Sequence, residues 1–130
     1  MEFTRSLGIE TLHAGDGECR IDAEIQPLHL SQAERVHGGF LFTLLDTAMG
    51  RAVISSLPAG RGCATVECKI NFFRPVRTGT LVTLARIVNQ TRSTAYAEGS
   101  ITNSDGKLVA RASGTFFLTD TLAQSERERL

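Results

Sequence analysis

Val36-His37-Gly38-Gly39-Phe40-Leu41-Phe42-Thr43-Leu44-Leu45-Asp46-Thr47-Ala48-Met49-Gly50 is the stretch that decides the fold. Its apolar spacing continues to Ser56, and Pro58-Ala59-Gly60 stops it. A helix from about Gly39 to Ser56 follows. On a helical wheel its apolar residues cover about half the circumference, wider than a coiled-coil stripe. Such a helix needs covering, most simply by a sheet curling round it. Two glycines at its mouth leave the first amides unpartnered and open to close approach. The positive end of the helix dipole backs them, so they can hold an oxyanion. Two turns on, a lone acid, Asp46, sits among Leu, Phe, Ala and Met at one edge of the apolar arc.

The flanks read as strands. Cys19, Ile21, Ala23 and Ile25 alternate with Glu18, Arg20, Asp22 and Glu24, the period of a strand with one wet face. Ala14-Gly15-Asp16-Gly17 reads as a hairpin turn, pairing an earlier strand from about Leu7 to His13. Beyond Pro58, Ala64, Val66, Cys68, Ile70 and Phe72 alternate with Thr65, Glu67, Lys69 and Asn71. Arg74-Pro75 ends that strand, because proline cannot donate to a ladder. Strands from Thr80 to Asn89 and from Arg92 to Thr102 follow. Asn103-Ser104-Asp105-Gly106 is a strong hairpin turn, leading to a last strand from Leu108 to Leu118. Small inward residues on the last two strands (Ala95, Ala97, Gly99, Ala110, Ala112, Gly114) leave room for a close helix. The expected class is α+β, a helix on one face of an antiparallel sheet, in a single domain 1–118 with a polar tail 119–130.

Composition narrows the function. The chain has 130 residues, 42% of them hydrophobic, with 14 basic and 14 acidic side chains. Zero net charge argues against a nucleic-acid binder, whose footprint is basic. No apolar run approaches a membrane span, and the first residues lack a signal peptide's apolar core. A cytoplasmic location is expected. Three cysteines without repeated spacing make neither a disulfide framework nor a zinc site. No metal is expected.

The order of elements, with Val36-His37-Gly38-Gly39, Leu44-Leu45-Asp46-Thr47-Ala48, Asn71-Phe72-Phe73-Arg74-Pro75 and Asp105-Gly106-Lys107-Leu108-Val109-Ala110, resembles the hotdog-fold thioesterases. It is most similar to the phenylacetate-degradation, or PaaI-like, type, relatives of the 4-hydroxybenzoyl-CoA thioesterases. The likeness runs from about Leu7 to Leu118. It implies a long central helix wrapped by a curved antiparallel sheet, dimerising edge to edge, and a dimer of dimers. It implies two sites at the dimer interface, each taking the helix-mouth glycine from one subunit and the acid from the other. The implied reaction is hydrolysis of an aryl or medium-chain acyl-CoA to free acid and CoA, without metal or bound cofactor.

Residue by residue, the Gly38 amide is the candidate oxyanion donor. Asp46 is the candidate general base or nucleophile; in a dry apolar site its carboxylate would be more basic. His37 matches the family's loop histidine, orienting the helix mouth or touching substrate. Thr65 falls where relatives carry a Ser or Thr that can hold the attacking water. Gly39, Ser31 and Phe40 are candidate substrate contacts, and Phe42, Met49 and Phe73 could line an acyl pocket. Arg74, Arg77, Lys107 and Arg111 are candidates for CoA phosphates, since guanidinium forks match phosphate geometry. Relatives often carry Asn six residues before the His and Gly three before it; here those positions hold Ser31 and Glu34. Two rival functions are a hotdog hydratase or dehydratase, with His37 as proton carrier, and a non-catalytic acyl-CoA-binding protein.

Overall fold

A computed structural model describes residues 2–120; the polar tail from 121 onward lies outside the described residues. The elements are α1 (Glu2–Ser6), β1 (Glu10–Gly15), β2 (Glu18–Glu24), α2 (Gly38–Ser55), β3 (Gly62–Phe72), β4 (Thr80–Gln90), β5 (Thr94–Thr102) and β6 (Leu108–Thr119). The six strands form one antiparallel sheet, ordered β1-β2-β4-β5-β6-β3. It curves around α2, the arrangement expected of a hotdog fold.

Alternation puts Cys19, Ile21 and Ala23 of β2, Leu81 and Ala85 of β4, and Ala95, Ala97 and Ile101 of β5 on the inner face. Against them α2 buries Phe40, Leu41, Leu44, Leu45, Ala48, Met49, Ala52 and Val53. The small inner residues let the helix come close: a Cβ on Gly99 would stand 3.1 Å from the Leu45 side chain and 3.2 Å from the Leu84 carbonyl. The β1–β2 turn is as expected, with Asp16 and Gly17 at φ 51° and 80°, the left-handed pair of a type I′ hairpin. At the β5–β6 turn the Asn103 side chain accepts from the amides of Asp105 and Lys107.

Three departures from the sequence reading stand out. The short helix α1 was not expected, because five residues carry no readable period. The first strand begins at Glu10 rather than Leu7. The third departure affects the site. The β3–β6 register shifts between Thr65 and Glu67, a β-bulge at Val66. Side chains reverse faces across it. Cys68, Ile70 and Phe72 lie on the face expected, but Ala64 and Val66 do not. Val66 is 63% exposed, and Thr65 turns inward instead.

One core position carries an unmet polar group. Thr83 of β4 is fully buried, and its hydroxyl has no partner among the described residues. Thr83→Val keeps the shape and removes the orphan. It should raise unfolding stability by about 1 kcal/mol, read as a higher urea midpoint at unchanged slope. An unmoved midpoint would mean that the hydroxyl finds a partner.

Candidate active site

The mouth of α2 is built from the loop before it. His37 is the N-cap, and its Nδ1 accepts from the Gly39 amide at 2.7 Å, leaving the ring proton on Nε2. The His37 carbonyl takes the amides of Phe40 and Leu41. Among the described residues the Gly38 amide alone of this first turn has no acceptor. Gly39, a candidate contact, has its amide committed to His37, so an oxyanion must use Gly38.

The loop itself is pinned from below by His29, which the sequence reading passed over. Its ring is 3% exposed and stacks on Phe40, centroids 3.6 Å apart at 13°. Nδ1 accepts from the Gln26 amide, and Nε2–H donates to the Leu7 carbonyl at 2.8 Å. The His29 carbonyl accepts from the His37 amide at 2.8 Å. Phe40 is therefore core beneath the helix mouth, not an open substrate contact, because its ring is covered by that stack. Ser31 is likewise engaged. Its hydroxyl accepts from the Ala33 amide, and its backbone pairs with Arg35 and Glu34.

Glu34 adopts φ 59°, the left-handed region that glycine enters without a Cβ penalty. Glu34→Gly should stabilise the fold by about 0.5–1 kcal/mol, relief of strain exceeding the added chain entropy. A lower melting temperature in that variant would count against the strain.

Eight residues along α2, half-buried Asp46 accepts from the Thr65 hydroxyl at 2.9 Å through Oδ1. The bulge at Val66 makes this contact possible, since regular alternation would aim Thr65 at the opposite face. Two thiols flank the carboxylate. Burial first, and the Asp46 charge second, push Cys63 up to about 11. The same causes, with Glu67 added, push Cys68 up to about 11. Both stay protonated at neutral pH, unlike a cysteine nucleophile, which needs a lowered value.

Of the candidate arginines, Arg74 reaches the helix mouth. With Arg35, Gly38 and Phe72 it lines a cleft of about 350 Å³, and its Nε donates to the Leu108 carbonyl. Arg35 was not singled out from the sequence, having no motif to mark it. Arg77 is exposed beside Val76, whose carbonyl accepts from the Val36 amide at 2.8 Å. Lys107 lies in the β5–β6 turn. Arg111 is elsewhere: it projects from the outer face of β6, in register with Ser100 and Asn71, away from the helix. Among the described residues no cluster of His, Cys, Asp and Glu could hold a metal. No helix there is long and apolar enough to cross a membrane.

The fold, one long helix packed against a curved six-stranded antiparallel sheet, is that of the hotdog thioester hydrolases. The pattern of the Thioesterase superfamily matches residues 34–110, and the chain belongs to that family, in its PaaI-like branch. A putative esterase from Halobacterium salinarum is 35% identical over 103 residues, 73% of this chain and 66%, just under two thirds, of that relative. Acyl-coenzyme A thioesterase PaaI from Escherichia coli is 31% identical over 107 residues, 82% of this chain and 74% of its own length. A mutant of the phenylacetic acid degradation protein PaaI from Thermus thermophilus superposes with a TM-score of 0.82 at 33% identity, covering 90% of this chain and 98% of that one.

Proposed function

We propose that the protein hydrolyses aryl or medium-chain acyl-CoA thioesters at sites shared between two copies of the chain. The observation that carries this is the separation of the two half-sites. Gly38 and Asp46 lie on one helix, eight residues and so about 12 Å apart along its axis. One thioester carbonyl cannot meet both within a single copy.

Strand β3 supplies the geometry that joins them. It is a sheet edge, and both half-sites rest on it. A Cβ on Gly38 would stand 3.2 Å from the Phe72 ring, while Asp46 is bonded to Thr65. Two copies pairing β3 antiparallel, with the dyad near Cys68 and Lys69, set Phe72 of one against Thr65 of the other. Gly38 then faces the partner's Asp46. Phe42, midway between them on α2, is 36% exposed and falls on the same axis. An exposed edge strand is a ready template for such pairing.

In this dimer Thr65 holds Oδ1 of Asp46, leaving Oδ2 for water. Asp46 takes a proton as the water oxygen bonds to the thioester carbon. The carbonyl oxygen, now anionic, lies at the Gly38 amide of the partner subunit. Collapse breaks the carbon–sulfur bond, and the departing thiolate recovers the proton from Asp46. Arg35 and Arg74 at the cleft beside Gly38 suit the phosphates of CoA. Arg77 in the same loop extends that basic surface.

Subunit mixing tests the shared site. Asp46→Asn and Gly38→Pro each remove one half of every site. A heterodimer of the two variants regains one complete site. Random mixing should therefore restore about one quarter of wild-type activity from two nearly inactive stocks. A mixture shown to exchange subunits yet no more active than its parts would eliminate the shared site.

A further inference from the structure

A cavity of about 500 Å³ lies on the other side of α2, between that helix, α1 and β1. Ile9, Thr11, Ala14, Arg51, Ile54 and Ser55 line it. Arg51 lies five residues beyond Asp46, about 140° round the helix, so the cavity is separate from the thioester site. Its guanidinium is half-buried and donates to the Thr11 hydroxyl. Among the described residues no carboxylate lies within ion-pair distance of it. A guanidinium carries five donors and is always charged, so one hydroxyl leaves most of its capacity unmet. Its charge is felt inside the fold: burial raises the Cys19 thiol, and Arg51 opposes that rise. Arg5 and Glu10, both exposed, stand at the rim and offset each other in charge. Ile9 and Ile54 make the walls apolar.

We infer that this cavity is a second ligand site, taking a monocarboxylate with a short apolar tail, its carboxylate on Arg51 and its tail against Ile9 and Ile54. The volume is that of a small-molecule pocket. A planar carboxylate matches the guanidinium fork and replaces water on donors that the fold leaves open. A phosphate would meet the same charge but leave the apolar walls unused.

Octanoate titrated into the whole protein, followed by backbone amide NMR shifts, tests this. Saturable shifts are expected at residues 8–14 and 51–55, in the wild type and in Asp46→Asn alike. Arg51→Gln should weaken that binding by about tenfold or more. Arg51→Lys keeps the charge and stem, serves if the glutamine variant does not fold, and should weaken it by a smaller factor. Octanol, of equal length without the charge, should bind far more weakly. Four results would overturn the inference: shifts confined to the neighbourhood of Asp46, no saturation, octanol binding as tightly as octanoate, or affinity unchanged in both Arg51 variants.

Discussion

Asp46→Asn keeps the fold and lowers kcat by about 10²–10⁴-fold, the usual contribution of a positioned general base. The amide is isosteric and half-buried, and its oxygen can still accept from the Thr65 hydroxyl. What it cannot do is take a proton from water. KM should change little if the carboxylate acts on the attacking water rather than on the bound ester. The measurement is steady-state thiol release, beside a melting curve that reports an intact fold. A variant that retains most of its kcat removes Asp46 from the chemistry.

Gly38→Pro is the second large effect. Proline suits the first position of a helix, where its missing N–H breaks no internal bond. His37 has ψ 136°, within the range that a residue before proline prefers. The new ring meets Phe72, which must give by a few tenths of an ångström. The substitution thus deletes one amide proton and little else. If that proton stabilises the oxyanion, kcat falls by about 10²–10³-fold. A fall confined to KM would assign Gly38 to ground-state binding instead.

Much of this was legible in order. The alternation of β2, β5 and β6, the turns at Asp16-Gly17 and Asp105-Gly106, and the wide apolar arc of α2 are local patterns. Each survives in the structure because tertiary packing reinforces it. The motif His37-Gly38-Gly39 with Asp46 was equally visible. Whether Gly38 or Gly39 keeps a free amide was not, since that depends on the turn of the His37 ring. Thr65 illustrates the opposite failure. Its alternation with Ala64 and Val66 aims it outward, and a bulge at Val66, invisible in the residue pattern, aims it at Asp46. His29 and Arg35 carry no motif at all; only the folding of the loop brings them to the helix mouth.

By itself the sequence determined the order of the six strands and the long helix, the open mouth of that helix, and the acid upon it. Those follow from periodicity and from glycine and proline, which act on their own neighbours. Only tertiary structure decided which amide stays unpaired, which face Thr65 takes, and that Phe40 lies under a histidine ring. The first depends on a ring orientation two residues away and the other two on contacts between residues distant along the chain, so that a ring rotation, a single inserted residue or a register shift reassigns groups without changing the local pattern.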